Sequence, residues 1–344
     1  MAAFDIFNNS AFTMVEMTSA VNKNPYRPGF LGGLNLFTPK PIRTTAAAIE
    51  LKDGTLNLIQ TSPRGAPLAE GDKEKRNIYY RETVRVAKGH TITSDEIQNV
   101  RAFGAESELE SMISVVANRL NGPTGLLSQV ELTWENMRLG AVQGIVTDAD
   151  ASTIVDWFSV LGQSQPAETN FDLANASPAS GAVRKLCNQT VRGIMRALGG
   201  LWVPNSSYIM ALCGDAFFDD LTAHSEIRAT YLNQIAAAEL RQGNAFEQFS
   251  YGGITWVNYR GTDDNTTVAV GTDKCKFVPV NVPGLFDVAY SPSESITYVN
   301  TPGQPLYAMM VMDDARQMWA RPEVYSYPLF ICTRPAALFR GKRA

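Results

Sequence analysis

The residues able to do chemistry are few and scattered. There are two histidines, His90 and His224, and they stand 134 positions apart. Imidazole is the usual general base near neutral pH and a common metal ligand, but it needs a partner at suitable spacing. His90 follows Lys88-Gly89 in a charged stretch, and His224 sits in Leu221-Thr222-Ala223-His224-Ser225. Paired carboxylates occur at Asp148/Asp150, Asp219/Asp220, Asp263/Asp264 and Asp313/Asp314. Such pairs can hold a hard cation, yet none follows a calcium-loop pattern, and each falls where Asp satisfies free backbone donors of a turn or helix end. No Gly-x-Ser-x-Gly, Walker A or His-Glu-x-x-His motif occurs, and Gly271-Thr272-Asp273-Lys274 reads as a turn. No cofactor, metal site or catalytic residue is therefore expected.

Cys187, Cys213, Cys275 and Cys332 lie 26, 62 and 57 positions apart without a Cys-x-x-Cys. That spacing argues against a zinc ribbon or disulfide scaffold and for buried thiols in a reducing compartment.

The elements that would carry these residues are mixed. Residues 1–43 combine Phe4, Phe7, Phe12, Tyr26, Phe30, Leu34 and Phe37 with Pro25, Pro28, Gly29, Gly32, Gly33, Pro39 and Pro41. Helix and sheet tolerate that Pro and Gly density poorly. The aromatic content instead suits an extended arm draped over its own subunit or a neighbour. Thr44–Leu51 and Thr55–Gln60 read as β-runs turning at Lys52-Asp53-Gly54. Glu70 to Arg101 holds seven basic and six acidic residues in 32 positions, which predicts solvent or polar contact. Ile78–Ala87 reads as a return strand, so residues 44–92 form a long loop with little core of its own.

Helix is expected from Thr93, spaced with Glu96 as a capping box, to about Gly144, broken at Asn121-Gly122-Pro123. The spacing of Val183, Leu186, Cys187, Val191, Ile194 and Leu198 predicts a second amphipathic helix. Tyr208–Leu212 reads as a buried strand, and Asp215–Leu221 and Ile227–Leu240 as helices. Thr153–Val160, Phe249–Tyr259, Thr267–Val270, Lys276–Val280, Ser295–Tyr298, Tyr307–Met312 and Glu323–Thr333 read as strand-like. The class is α+β.

At 344 residues, 45% hydrophobic and 19% charged, the chain has the composition of a folded protein of about two domains. Thirty basic against 34 acidic residues leave a net charge of −4, unlike a protein whose main work is gripping phosphates. No apolar run reaches the length of a membrane span, so no membrane contact is expected, and Met1–Ser10 does not read as a secretory signal.

The run Pro25-Tyr26-Arg27-Pro28-Gly29-Phe30-Leu31-Gly32-Gly33-Leu34-Asn35-Leu36-Phe37 resembles the opening of lambda-type phage major capsid proteins, the major capsid protein E family. Thr44-Thr45, Ala48-Ile49-Glu50, Thr61-Ser62-Pro63-Arg64-Gly65-Ala66-Pro67 and, late in the chain, Pro322-Glu323-Val324-Tyr325-Ser326-Tyr327-Pro328-Leu329 continue the match in order. The specific motifs lie mainly in residues 25–67; the middle matches by element order.

This resemblance implies the Hong Kong 97-like phage capsid fold. Residues 1–43 would be the N-terminal arm and 44–92 the extended loop. Residues 93–176 would be the peripheral domain with a long spine helix, 177–316 the axial domain, and 317–344 the return strand of the peripheral domain. It implies a shell protein that self-assembles, through hexamers and pentamers, into an icosahedral head around the double-stranded DNA of a tailed phage or prophage. Portal, scaffold and possibly decoration proteins would be partners, DNA contact weak and non-specific, and the destination the virion capsid after assembly in the bacterial host cytoplasm. An encapsulin-like compartment shell and an enzyme with an unrecognised site are the competing readings. Some assemblies of this fold cross-link Lys to Asn between subunits; Lys73, Lys75 and Lys88 read simply as solubilising.

Three residue groups are expected to meet partners. Tyr26, Phe30, Leu34 and Phe37 would be inter-subunit arm contacts. Asp53, Gly54, Glu70, Asp72, Lys73, Glu74, Lys75, Arg76, Arg81 and Arg85 would be extended-loop contacts, largely ion pairs. Arg184, Lys185, Arg192 and Arg196 share one helix face in a stretch without acids, Leu173–Gly214, and would form an interior basic face toward DNA or a scaffold's acidic segment.

Overall fold

Where the chain repeats apolar residues every three or four positions it is helical, and where it runs β-branched and aromatic it pairs into sheet. A computed structural model of the protein describes residues 29–53, 75–97, 112–122, 125–175, 177–232, 248–260, 262 and 268–344. The described chain opens with a helical turn at Phe30–Gly33, followed by β1 (Thr38–Pro41), β2 (Ala46–Asp53), β3 (Lys75–Glu82), β4 (Val86–Gly89) and β5 (Ile92–Thr93). Helices at Ser94–Ile97 and Met112–Asn121 precede an 18-residue spine helix, Leu126–Gln143. Gly122 marks the expected break; its N–H still bonds the Asn118 carbonyl at 2.8 Å, and Pro123 has no N–H to continue the ladder.

β6 (Ile145–Thr147), β7 (Thr153–Asp156) and β8 (Thr169–Asn170) lead to the axial helix, Ala182–Leu198. Next come β9 (Tyr208–Cys213), helices Asp215–Ala223 and Ser225–Leu232, β10 (Phe249–Tyr251), β11 (Ile254–Asn258) and β12 (Lys274–Val280). The chain closes with β13 (Phe286–Tyr290), β14 (Tyr307–Met312), β15 (Trp319–Ser326), β16 (Pro328–Cys332) and β17 (Arg340–Lys342).

These strands form a mixed six-stranded sheet ordered β10-β11-β9-β12-β17-β8, a three-stranded sheet β1-β13-β16, and a sheet β14-β15-β4 with β5 also on β15. β2–β3 and β6–β7 are separate ladders. One face of the six-stranded sheet packs Phe171, Phe217, Trp256 and Phe277 with ring centroids 5.7–6.0 Å apart. The axial helix covers that face: a Cβ on Gly252, at φ +64°, would meet Cys187 Cβ at 2.6 Å. The same Gly252-Gly253 turn divides the single strand expected over Phe249–Tyr259 into β10 and β11.

β2 pairs along its whole length with β3, from Ala46↔Glu82 to Asp53↔Lys75, while Gly54 and the run expected at Thr55–Gln60 lie outside the described residues. Ala47 and Ile49 of this loop are buried with the main core and not in a core of the loop's own. The strand expected over Thr153–Val160 stops at Asp156, whose carboxylate accepts the N–H groups of Phe158 and Ser159 and starts a helical turn. In place of the strand expected over Ser295–Tyr298, Ile296–Tyr298 is a 3-10 turn, with Tyr298 turned inward against Tyr307 and Ile296 left in solvent.

Strand pairing also ties distant segments together. The C-terminal β17 joins β12 and β8 in the six-stranded sheet, while β14 and β15 pair across positions 316 and 317.

Candidate assembly surfaces

Phe30–Gly33, with Gly29 as its N-cap, folds as one helical turn, which cannot satisfy its own first N–H groups. Glu135, 3% exposed in the spine helix, does so: Oε1 accepts the Leu31 N–H at 2.7 Å and Oε2 the Gly32 N–H at 3.1 Å. Tyr259 donates its hydroxyl to the same carboxylate at 3.2 Å. Burial, and then the neighbouring Glu135 charge, push the Tyr259 phenol well above its ordinary range. Arg138 balances the charge from one turn on, at 3.4 Å, its guanidinium lying over the rings of Trp134 and Phe330. Gly29 is required by this closeness, since a Cβ there would lie 2.4 Å from Glu135 Cδ.

The rest of the described arm is held in the same way. Phe30 meets Tyr259 edge-on at 5.8 Å, Leu34 packs on the core, and Phe37 sits 5.2 Å from both Phe286 and Phe330. β1 adds in parallel to β13, and Lys40 pairs with buried Asp287 at 2.5 Å. Of the two surfaces open to the arm, Phe30, Leu34 and Phe37 meet that of their own chain; Tyr26 lies outside the described residues.

In the extended loop, β2–β3 has two unlike faces. Ala47 and Ile49 are buried and Tyr79, opposite Ile49, packs with them. On the other face Ile78 is 50% and Tyr80 67% exposed, beside exposed Ala48 and Glu50. Arg76 and Arg81 are exposed. Asp53 and Lys75 form the last backbone pair of the ladder. Gly54, Glu70, Asp72, Lys73 and Glu74 lie outside the described residues. Arg85 finds its carboxylate within the chain, pairing with Glu294 at 3.1 Å and lying over the Tyr325 ring at 5.3 Å. It lines an open polar groove of about 380 Å³ with Lys88, Thr91, Arg321 and Glu323, where Arg321 and Tyr325 both bond the buried Glu323.

Arg184, Lys185, Arg192 and Arg196 are all exposed on the axial helix, while Val183, Cys187, Thr190, Ile194 and Leu198 are buried beneath. Gly181 offers no capping side chain; Glu226 accepts the N–H groups of Val183 and Arg184, both at 3.1 Å, and is held by Tyr251.

Among the described residues no cluster of three or more His, Cys, Asp or Glu could hold a metal, and no helix is long and apolar enough to cross a membrane. His90 lies beside its neighbour's carbonyl, and His224 accepts the Glu226 N–H in a helix–helix corner.

The sequence profile described as phage major capsid protein E matches residues 13–343. The chain belongs to that family. It is 28% identical to the major capsid protein of Salmonella phage Felix O1, covering 96% of this chain and 95% of the relative. It is 25% identical to that of Pseudomonas phage KPP10, covering 88% and 89%. The fold is that of Hong Kong 97-like capsids. A structure described as a capsid protein of an E. coli CFT073 prophage superposes with a TM-score of 0.59 at 14% identity, covering 96% of this chain and 99% of that one. The mature capsid of bacteriophage PhiM1 gives 0.52 at 10%, covering 94% and 89%. The family is one of structural shell proteins, not enzymes, and the chain is a shell-forming capsid subunit that assembles with its own copies.

Glu135 is the site residue that sequence reading missed. A glutamate mid-helix reads as solvated; the available signal was its i,i+3 spacing to Arg138 among Trp134, Met137, Leu139 and Ala141.

Proposed function

We propose that this capsid subunit builds an icosahedral head of hexamers and pentamers around the double-stranded DNA of a tailed phage or prophage, assembling in the host cytoplasm. Residues 1–43 act as arm, 44–92 as extended loop, 93–176 and 317–344 as peripheral domain, and 177–316 as axial domain. A portal, a scaffold and a decoration protein complete the particle. The arm residues Tyr26, Phe30, Leu34 and Phe37 present their remaining surface to a neighbour, the loop charges other than Arg85 pair across subunits, and Arg184, Lys185, Arg192 and Arg196 face inward.

The observation that carries this reading is the outer face of β2–β3, where Ile78 and Tyr80 stand in solvent on an ordered ladder. A two-stranded ladder is marginal without a packed face, and this one buries only its inner face within the subunit. A second copy supplies the missing cover. Electron microscopy of the purified protein tests the reading: closed shells of uniform size are expected, and only dispersed subunits under all assembly conditions would overturn it.

A further inference from the structure

The edge of the six-stranded sheet opposite the axial helix carries an unusual arrangement of charge. β12 and β17 pair antiparallel with Lys274 opposite Lys342 and Lys276 opposite Arg340. Residues directly opposite share a sheet face, as do residues two apart on one strand. All four cations therefore lie on one face, away from the side on which Cys275 and Gly341 meet the aromatic core. Like charges directly opposite destabilise a sheet. Among the described residues one carboxylate answers them: Glu168, bonded to Lys274 at 2.8 Å. The Arg340 charge also acts on the Glu168 carboxylate, but its Nε is buried without an acceptor. Lys276 is held below the usual lysine range, first by burial and then by the neighbouring Arg340 charge. A half-buried cluster of four cations with one anion, holding an orphaned guanidinium donor, is short of negative charge.

We propose that Lys274, Lys276, Arg340 and Lys342 form a binding site for a phosphate group. A planar guanidinium with free donors beside an ammonium suits a tetrahedral oxyanion. The phosphate is either free in solution or part of a nucleic-acid backbone, and only the second source rests on the capsid reading above. The exposed arginines of the axial helix lie on the other side of this sheet, so the two basic surfaces do not merge into one.

The test uses the full-length subunit and inorganic phosphate, titrated by calorimetry against chloride at matched ionic strength. Saturable phosphate binding is expected. Arg340→Gln should weaken it at least about tenfold, the equivalent of one charge-assisted hydrogen bond, while Arg228→Gln, on an exposed helix face elsewhere, leaves it unchanged. Lys342→Gln carries the same expectation as Arg340→Gln and serves if the latter does not fold. Short double-stranded DNA added as competitor separates the sources: displacement of phosphate identifies the backbone, and undisturbed phosphate identifies the free ion. Absence of saturable binding, or equal affinity in the parent and the substituted proteins, would overturn the proposal and leave the capsid reading untouched.

Discussion

Glu135 of the spine helix accepts the backbone N–H of Leu31, 104 residues earlier in the chain, at 2.7 Å. Through one carboxylate the arm, the spine and, by way of Tyr259, the six-stranded sheet are fastened together. The glycine-rich motif that marks the family resemblance is thus built for a contact: Gly29 leaves the room, and the following N–H groups supply the donors.

Removing that carboxylate is expected to cost about 3–5 kcal/mol, the usual loss when one partner of a buried charged network is deleted. Glu135→Ala leaves the Leu31 and Gly32 N–H groups and the Tyr259 hydroxyl without this acceptor and takes one carboxylate away from Arg138. Gly29→Ala should cost about 1–3 kcal/mol by overpacking against the same carboxylate. The two losses share a cause, so Gly29→Ala should cost less in the Glu135→Ala background. Denaturant unfolding of the four proteins measures the cycle. Strict additivity would show that Gly29 and Glu135 do not meet.

Elements with a strong period were legible in the sequence. The spine and axial helices follow their apolar spacing, and Tyr208–Cys213 announces itself as an uninterrupted apolar run. Strands that contradict their own pattern were not legible. β13 contains Asp287, acceptable in a core only because Lys40 of the arm reaches it. β17 is Arg-Gly-Lys, with no apolar residue to mark it as the partner of β12. The four arginine and lysine residues of the axial helix could be placed on one face by periodicity alone. Glu135 and the cation face of β12–β17 depend on contacts between residues far apart in sequence, which no local pattern records.

All four thiols are buried. Burial pushes the Cys187 and Cys332 thiols up to about 12, and raises Cys275 well above its ordinary range. At pH 8 an aromatic disulfide reagent should therefore reach no thiol in the native subunit, where all four are buried, and all four after denaturation. The linkage has a definite sign. A thiol whose folded value lies above its unfolded one, about 8.5, stabilises the fold fully below that pH. The contribution declines as pH rises past it, because the unfolded chain then binds fewer protons. Stability should fall from about pH 8.5 up to about 12, and less steeply for Cys332→Ala. Rapid labelling of the native protein would contradict the buried assignment.

Arg192→Glu with Arg196→Glu reverses two exposed charges on the axial helix while leaving its buried face intact. Subunit stability should change by less than about 0.5 kcal/mol per substitution. If this helix face looks inward, the yield of DNA-filled heads drops while empty shells still form. Normal yields of filled heads would assign the face to the outside or to a solvated surface.

Ile78→Asp with Tyr80→Asp tests the loop face. Both side chains are at least half exposed in the single subunit, so unfolding free energy should stay within about 1 kcal/mol of the parent. Their burial against a neighbouring copy would be worth roughly 1.5–3 kcal/mol for each full-size apolar side chain, repeated at every subunit of a shell. An aspartate at either place brings a charge into that contact and leaves it without a partner. The doubly substituted protein should therefore remain folded and dispersed under conditions where the parent closes particles. Hydrogen exchange adds a second readout: amides of Ile78–Tyr80 in the parent should exchange more slowly in assembled particles than in free subunits. Equal exchange in the two states, together with normal particles from the substituted protein, would show that the outer face of β2–β3 faces solvent in the shell.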